Sequence, residues 1–191
     1  MFQNLSKSTI IIGIIALVIL VFGLFAMGTY NSLNSESKEV DNAWSNVESD
    51  YQRRFDLVPN LVASVEGELK QEQTIFKEIA DARSNYSGAK TVDEKAQAAE
   101  SYDSAISRLL VITENYPVLQ SSNLIQSLMV QLEGTENRIK VSRDRYNDSV
   151  KTYNTNVSSF PNLIYAKLFG YSERYFFKST SGADTAPSVK F

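Results

Sequence analysis

Hydrophobic positions along the chain fall into two regimes. From Ile10 to Met27 every residue is apolar apart from Gly13 and Gly23, and Thr9 to Thr29 carries no charge. At about 1.5 Å of rise per residue this run matches a hydrocarbon core about 30 Å thick, which predicts a transmembrane helix over residues 9–29. A cleavable signal peptide is the competing reading, because Ala26-Met27-Gly28 places small residues at cleavage-like spacing. The apolar run is longer than the roughly 7 to 15 residues of a signal core, which favours the retained anchor. Lys7 precedes the span, while Lys38 follows it among Glu36, Glu39 and Asp41. That balance leans toward an inside N-terminus and an extracytoplasmic soluble domain.

Beyond a polar connector at 30–37 the pattern changes to apolar residues at alternating spacings of four and three: Val40, Trp44, Val47, Tyr51, then Val58, Leu61, Val65, and later Ile75 and Ile79. Such a seam predicts a bundle or coiled-coil helix. Its phase is the same before and after Pro59, so the spacing predicts one long helix from about Lys38 to Asn85, kinked at the proline. Thr91-Val92-Asp93-Glu94 reads as a capping box that opens a second helix, closed at Tyr116-Pro117. A third helix starts near Ser122, and its seam runs Ile125, Met129, Leu132, Glu136, Ile139, Arg143, Tyr146, Val150, Tyr153, Val157 until Phe160-Pro161. A short helix with Leu163, Ala166, Leu168 and Phe169 follows.

The fold expected is all-α: an N-terminal transmembrane helix, then an elongated antiparallel bundle of three long helices plus a short C-terminal one. The divisions are a tail at 1–8, the span at 9–29, the connector at 30–37, the bundle at 38–177 and a C-terminal tail at 178–191. Three passes place the aromatic-rich segment Phe160 to Phe177 at the end far from the bilayer, as a cap. The same count leaves Val40, Trp44, Val47 and Tyr51 with little cover from their own chain. An uncovered apolar seam predicts self-association or a protein partner along the first long helix.

Composition narrows the chemistry. The 191 residues contain no cysteine and no histidine, which removes thiolate chemistry and the usual general base and transition-metal ligand. A formal charge of −3 argues against nucleic acid, which needs a basic face. Without histidine the Glu-x-x-His template of di-iron bundles is excluded, leaving at most a Mg²⁺ or Ca²⁺ site from Glu68, Glu72, Glu133 and Glu136. No cofactor is expected. Two Ser-x-x-Lys matches, at Ser35 and Ser87, lie in serine-rich stretches with no second motif and are taken as chance. The terminal Val189-Lys190-Phe191 has the form of a peptide that adds a strand to a sheet edge, although a tail lying on its own bundle is the simpler reading.

The sharpest feature is the charge set into the seams. Around Arg53, Arg54, Asp56 and Asn60 on the first helix, with Glu68 and Glu72 further on, and Glu133, Glu136, Asn137, Arg138 and Arg143 on the third, the sequence predicts an interhelical polar network. Arg53 and Arg54 are expected to reach Glu133 or Glu136, and Arg143 to reach Glu68 or Glu72. Unpaired ions in a bundle core cost several kcal/mol each, so such a network more often fixes register than binds or reacts.

Several runs resemble the LemA family over essentially the whole chain. They include Ala43-Trp44-Ser45, Arg53-Arg54-Phe55-Asp56-Leu57-Val58-Pro59-Asn60-Leu61-Val62, Glu114-Asn115-Tyr116-Pro117, Leu132-Glu133-Gly134-Thr135-Glu136-Asn137-Arg138-Ile139, Tyr146-Asn147, Tyr153-Asn154 and Phe169-Gly170-Tyr171. The resemblance implies a bacterial membrane protein with an antiparallel helical bundle and no established enzyme activity. Gln71, where members of the family often carry histidine, and Val118, where an acidic residue usually follows Tyr-Pro, are departures. The first weakens any metal site there. The expectation is therefore a non-enzymatic scaffold or adaptor of the bacterial cell envelope, and the resemblance adds membrane proteases or membrane remodelling as settings. The alternative is a ligand-binding or sensory domain using a polar pocket around Arg54 and Glu136.

Overall fold

The computed structural model describes residues 7–177. Among them are six helices and no strand: α1 (Lys7–Val65), α2 (Gln73–Gly88), α3 (Val92–Glu114), α4 (Pro117–Gln120), α5 (Asn123–Ser158) and α6 (Asn162–Phe169). The sequence positions 1–6 and the tail from 178, with its Val189-Lys190-Phe191 terminus, lie outside the described residues. The described residues divide into two units, one made of residues 7–40 with Lys151–Arg174, the other of Asp41–Val150 with residues 175–177.

α1 is longer at its start and shorter at its end than the seam pattern predicts. The connector expected at 31–37 is helical. It contains no glycine or proline, and Leu33, seven residues before Val40, is fully buried, so the seam extends back through the polar stretch. Ser32 donates to Glu36 at 3.0 Å one turn on, which supports the helix from its polar face. α1 then passes through Pro59 and stops at Val65, whose carbonyl accepts from both Glu68 N and Leu69 N at 3.0 Å. Residues 66–72 form a turn plugged by buried Leu69, and α2 begins at Gln73. The helix expected to continue to Asn85 is therefore two helices. Glu68 and Glu72 had been placed in the seam by phase alone, and a turn that frees them costs less than burying two carboxylates.

The extra turn adds a pass. In the second unit α2 returns along α1, with Phe55 against Tyr86 at 4.8 Å between ring centroids. α3 then advances with α1, since Glu48 pairs with Lys95 and Arg54 with Asp103. α5 runs opposite to α1, with Trp44 against Tyr146 and Arg54 against Glu136. The arrangement is an antiparallel up-down-up-down bundle. Its core holds Val47, Phe55, Val58, Leu61, Ile79, Tyr102, Ile106, Leu109, Leu132 and Ile139, all buried. The capping box at the start of α3 is complete: Thr91 Oγ1 accepts from Glu94 N, and the Glu94 carboxylate accepts from Thr91 N.

In the first unit the segment after α5 turns back onto the early part of α1. Asn156 Nδ2 donates to Glu36 at 2.7 Å, Thr29 Oγ1 lies 3.1 Å from Asn162 Oδ1, and the Phe22 and Tyr165 rings lie 4.9 Å apart. The aromatic segment that three passes would have placed away from the bilayer thus begins beside the apolar run of α1. α1 itself is long and apolar enough to cross a membrane, and no residue of its most apolar stretch is buried against the chain.

Candidate functional site: a buried arginine and aspartate cluster

The charged cluster of the second unit is built by three helices. Arg54 stands on the heptad position of α1 otherwise filled by Val47 and Leu61, which aims it inward, and it is 2% exposed. Its Nη1 donates to Asp103 Oδ1 at 2.6 Å and its Nη2 pairs with Glu136 Oε2 at 2.6 Å. The other oxygen of Asp103 accepts from Tyr51 Oη at 2.6 Å and from Arg143 Nη2. Arg143 also donates to Tyr51 Oη, and its guanidinium lies 4.6 Å from the centroid of the Phe177 ring. One carboxylate from α3 therefore ties together α1 and α5.

The electrostatics follow from burial against pairing. Burial raises the Asp103 carboxyl above its ordinary value, while Arg143 and Arg54 oppose that rise. Burial works to lower Arg143, but Asp103 and Tyr51 hold it above its ordinary value. Burial, and then the Asp103 carboxylate, push the Tyr51 phenol far up, so Tyr51 stays a protonated donor.

Of the residues read from the sequence as a polar network, Arg54, Glu136 and Arg143 meet at this cluster. Asp103 was missed because it belongs to α3, whose capping box and alanines drew the reading, and because a lone aspartate in a polar heptad carries no signal. Arg53, Asp56, Asn60, Glu133, Asn137 and Arg138 are exposed. Asp56 accepts from Gln52 at 3.0 Å, Asn60 donates to the Asp56 carbonyl at 3.3 Å, and Arg138 donates to the Gly134 carbonyl at 3.2 Å, all within their own helices. Glu68 and Glu72 lie in the turn after α1. Among the described residues no cluster of three or more acidic side chains is placed to hold a metal ion.

The seam expected to be uncovered is buried: Val40 2%, Trp44 5%, Val47 0% and Tyr51 0% exposed. Trp44 packs edge-on to Tyr146 and is stacked on Phe177, with ring centroids 5.8 Å apart. Phe177 arrives there on an extended segment that two asparagines of α5 grip by the backbone. In the second unit Asn147 donates to the Phe177 carbonyl at 3.1 Å and accepts from Phe177 N at 2.9 Å. In the first, Asn154 treats Arg174 the same way, at 2.9 and 2.8 Å. Asn147 and Asn154, seven residues apart on one face of α5, are backbone clamps.

Comparison with known proteins adds the following. The model of the LemA family matches residues 43–191. Magnetosome protein MamQ 2 of Paramagnetospirillum magneticum is 25% identical, over 82% of this chain and 67% of its own length. Magnetosome protein MamQ of Magnetospirillum gryphiswaldense is similar to the same extent.

Proposed function

We propose that this chain, which belongs to the LemA family, is a membrane-anchored scaffold without catalysis, which presents its bundle to a protein partner. The observation that carries this reading is the closure of the charged cluster: Asp103 accepts from Tyr51, Arg54 and Arg143, and Arg54 is 2% exposed. Buried ions paired with one another fix which helix faces meet, and both oxygens of Asp103 are taken up in that pairing. The apolar run of α1 serves as the single-pass anchor, and the lysine ahead of it favours an extracytoplasmic bundle.

The buried Trp44 seam is unsuited to a partner. Exposed apolar side chains instead gather where α3, α4 and α5 join: Val118, Leu124 and Val130 are 66%, 61% and 68% exposed, beside a groove of about 440 Å³ lined by Leu119, Ile125 and Met129. A photo-reactive residue in cells at 118 or 124 is expected to capture one and the same protein, and Leu124→Asp to abolish the capture at 118. The same residue at 44 is expected to capture none. Adducts with lipid alone, or capture from 44 and not from 118, would overturn the reading.

A ligand-binding reading has one observation in its favour, a groove of about 480 Å³ between α1, α2 and α3, lined by Pro59, Phe76, Arg83 and Tyr102. It predicts that Arg83→Ala abolishes function at unchanged stability.

A further inference from the structure

α6 and the residues before it have two unlike faces. Tyr165 and Ala166 are 5% and 0% exposed against the first unit, whereas Phe160, Ile164 and Leu168 are 82%, 51% and 68% exposed. Ile164 and Leu168, one turn apart on α6, form an apolar ridge, and Phe160 is exposed in the turn just ahead of it. Large apolar residues in a row on the outside need a cover.

The depth of the segment identifies the cover. The Tyr165 ring lies 4.9 Å from that of Phe22, and Tyr165 Oη donates to the Phe22 carbonyl at 3.4 Å. Phe22 sits inside the apolar run of α1, five residues before its end at Met27, or about 8 Å along the helix. If α1 crosses the membrane, Tyr165 is at acyl-chain level. Next to it Pro161 and Tyr165 close, with Leu17, Val21 and Phe25, an apolar cleft of about 410 Å³. The chain between 159 and 170 has one charge, Lys167 in the last turn of α6, long enough to reach outward to headgroups. Gly170 then reverses the chain at φ 79°, and Tyr171 N returns to the Ala166 carbonyl at 2.9 Å. The aromatic pairs of Tyr30 with Phe169 and Tyr171 mark the level at which membrane-interface rings settle.

We propose that residues 160–169 are a second membrane element, lying in the leaflet from which α1 emerges, with Phe160, Ile164 and Leu168 among acyl chains and Lys167 at the headgroups. Its occupant is bilayer lipid. The depth is that of an interfacial helix, about 5 to 10 Å below the headgroup boundary, and not that of a second span. The proposal rests on the reading of α1 as a transmembrane anchor, and the two can be separated.

Because the chain has no cysteine, single cysteines at 17, 52, 164 and 168 can each carry an environment-sensitive fluorophore in the full-length protein. The protein is reconstituted into vesicles of phosphatidylethanolamine and phosphatidylglycerol, with nitroxide-labelled lipid added. Labels at 164 and 168 are expected to be quenched as the label at 17 is, while the label at 52 is not. Quenching at 17 with 164 and 168 behaving like 52 overturns the proposal and leaves the anchor standing. Labels at 164 and 168 shielded from water yet untouched by the lipid nitroxide mean that protein covers the ridge, which also overturns it. No quenching at 17 removes the anchor and the proposal together.

Discussion

Arg54 Nη1 and Asp103 Oδ1 lie 2.6 Å apart and join α1 to α3, while the second oxygen of the same carboxylate takes Arg143 from α5. One aspartate thereby holds three helices in register. Asp103→Asn keeps the shape but takes the counter-ion from Arg143 and leaves Arg54 with the half-exposed Glu136 alone, and breaking such a set from one side costs about 3–5 kcal/mol. Replacing Arg54, Asp103 and Arg143 together by Met, Leu and Met is expected to cost less than the single change. Glu136→Gln should cost under about 1 kcal/mol, because its carboxylate is half exposed. Urea unfolding of the full chain in detergent orders these variants; equal losses for Asp103→Asn and Glu136→Gln would contradict the central place of Asp103.

The chain's one tryptophan reports the C-terminal segment. Trp44 is stacked on Phe177, whose backbone Asn147 holds. Wild-type emission is expected to be blue and protected from acrylamide. Asn147→Ala removes both clamp bonds without touching either ring, and is expected to red-shift Trp44 as Phe177→Ala does. Releasing a buried amide N–H and carbonyl in this way costs about 1–3 kcal/mol. An unchanged emission in Asn147→Ala would mean that ring stacking alone seats the segment.

Pro59 lies inside α1 and is exposed. It supplies no N–H to the Phe55 carbonyl, and a proline in a helix interior costs about 3 kcal/mol. Pro59→Ala is expected to raise stability by up to that amount, read as a higher thermal midpoint. A fall would show that the packing of α1 on its neighbours depends on a proline at this turn.

The start of α3 has an acid-sensitive cap. Glu94 accepts from the backbone N–H of Lys90 and Thr91, and these bonds hold its carboxyl below the ordinary 4.5. A carboxyl lowered in the folded state stabilises it above the unfolded value, and that gain is lost as pH falls through the folded value. Glu94→Gln is therefore expected to flatten the loss of stability on acidification at the start of α3, followed by hydrogen exchange of its first turn. Thr91→Ala, which deletes the other half of the box, should cost about 1 kcal/mol at neutral pH.

The sequence by itself determined the elements whose signal is local. The apolar run of α1, the capping box at Thr91, the proline stops before α4 and α6, and the seam of α5 each depend on residues within a few turns of one another, so spacing alone reveals them. It also placed Arg54 and Arg143 inward, because heptad phase says which way a side chain points, while Glu136 on the same seam stays half exposed. Phase does not say where a helix ends. The seam stays in register from Val65 to Ile75 across a turn, and only the tertiary structure decided that Leu69 plugs that turn while Glu68 and Glu72 leave the core. That decision added a pass in the second unit, turned α3 parallel to α1 and brought Asp103 to Arg54. The Trp44 seam was covered by residues more than a hundred positions away, among them Phe177. Contacts of that separation follow from the number of passes, which is settled by the balance of burying or freeing two carboxylates.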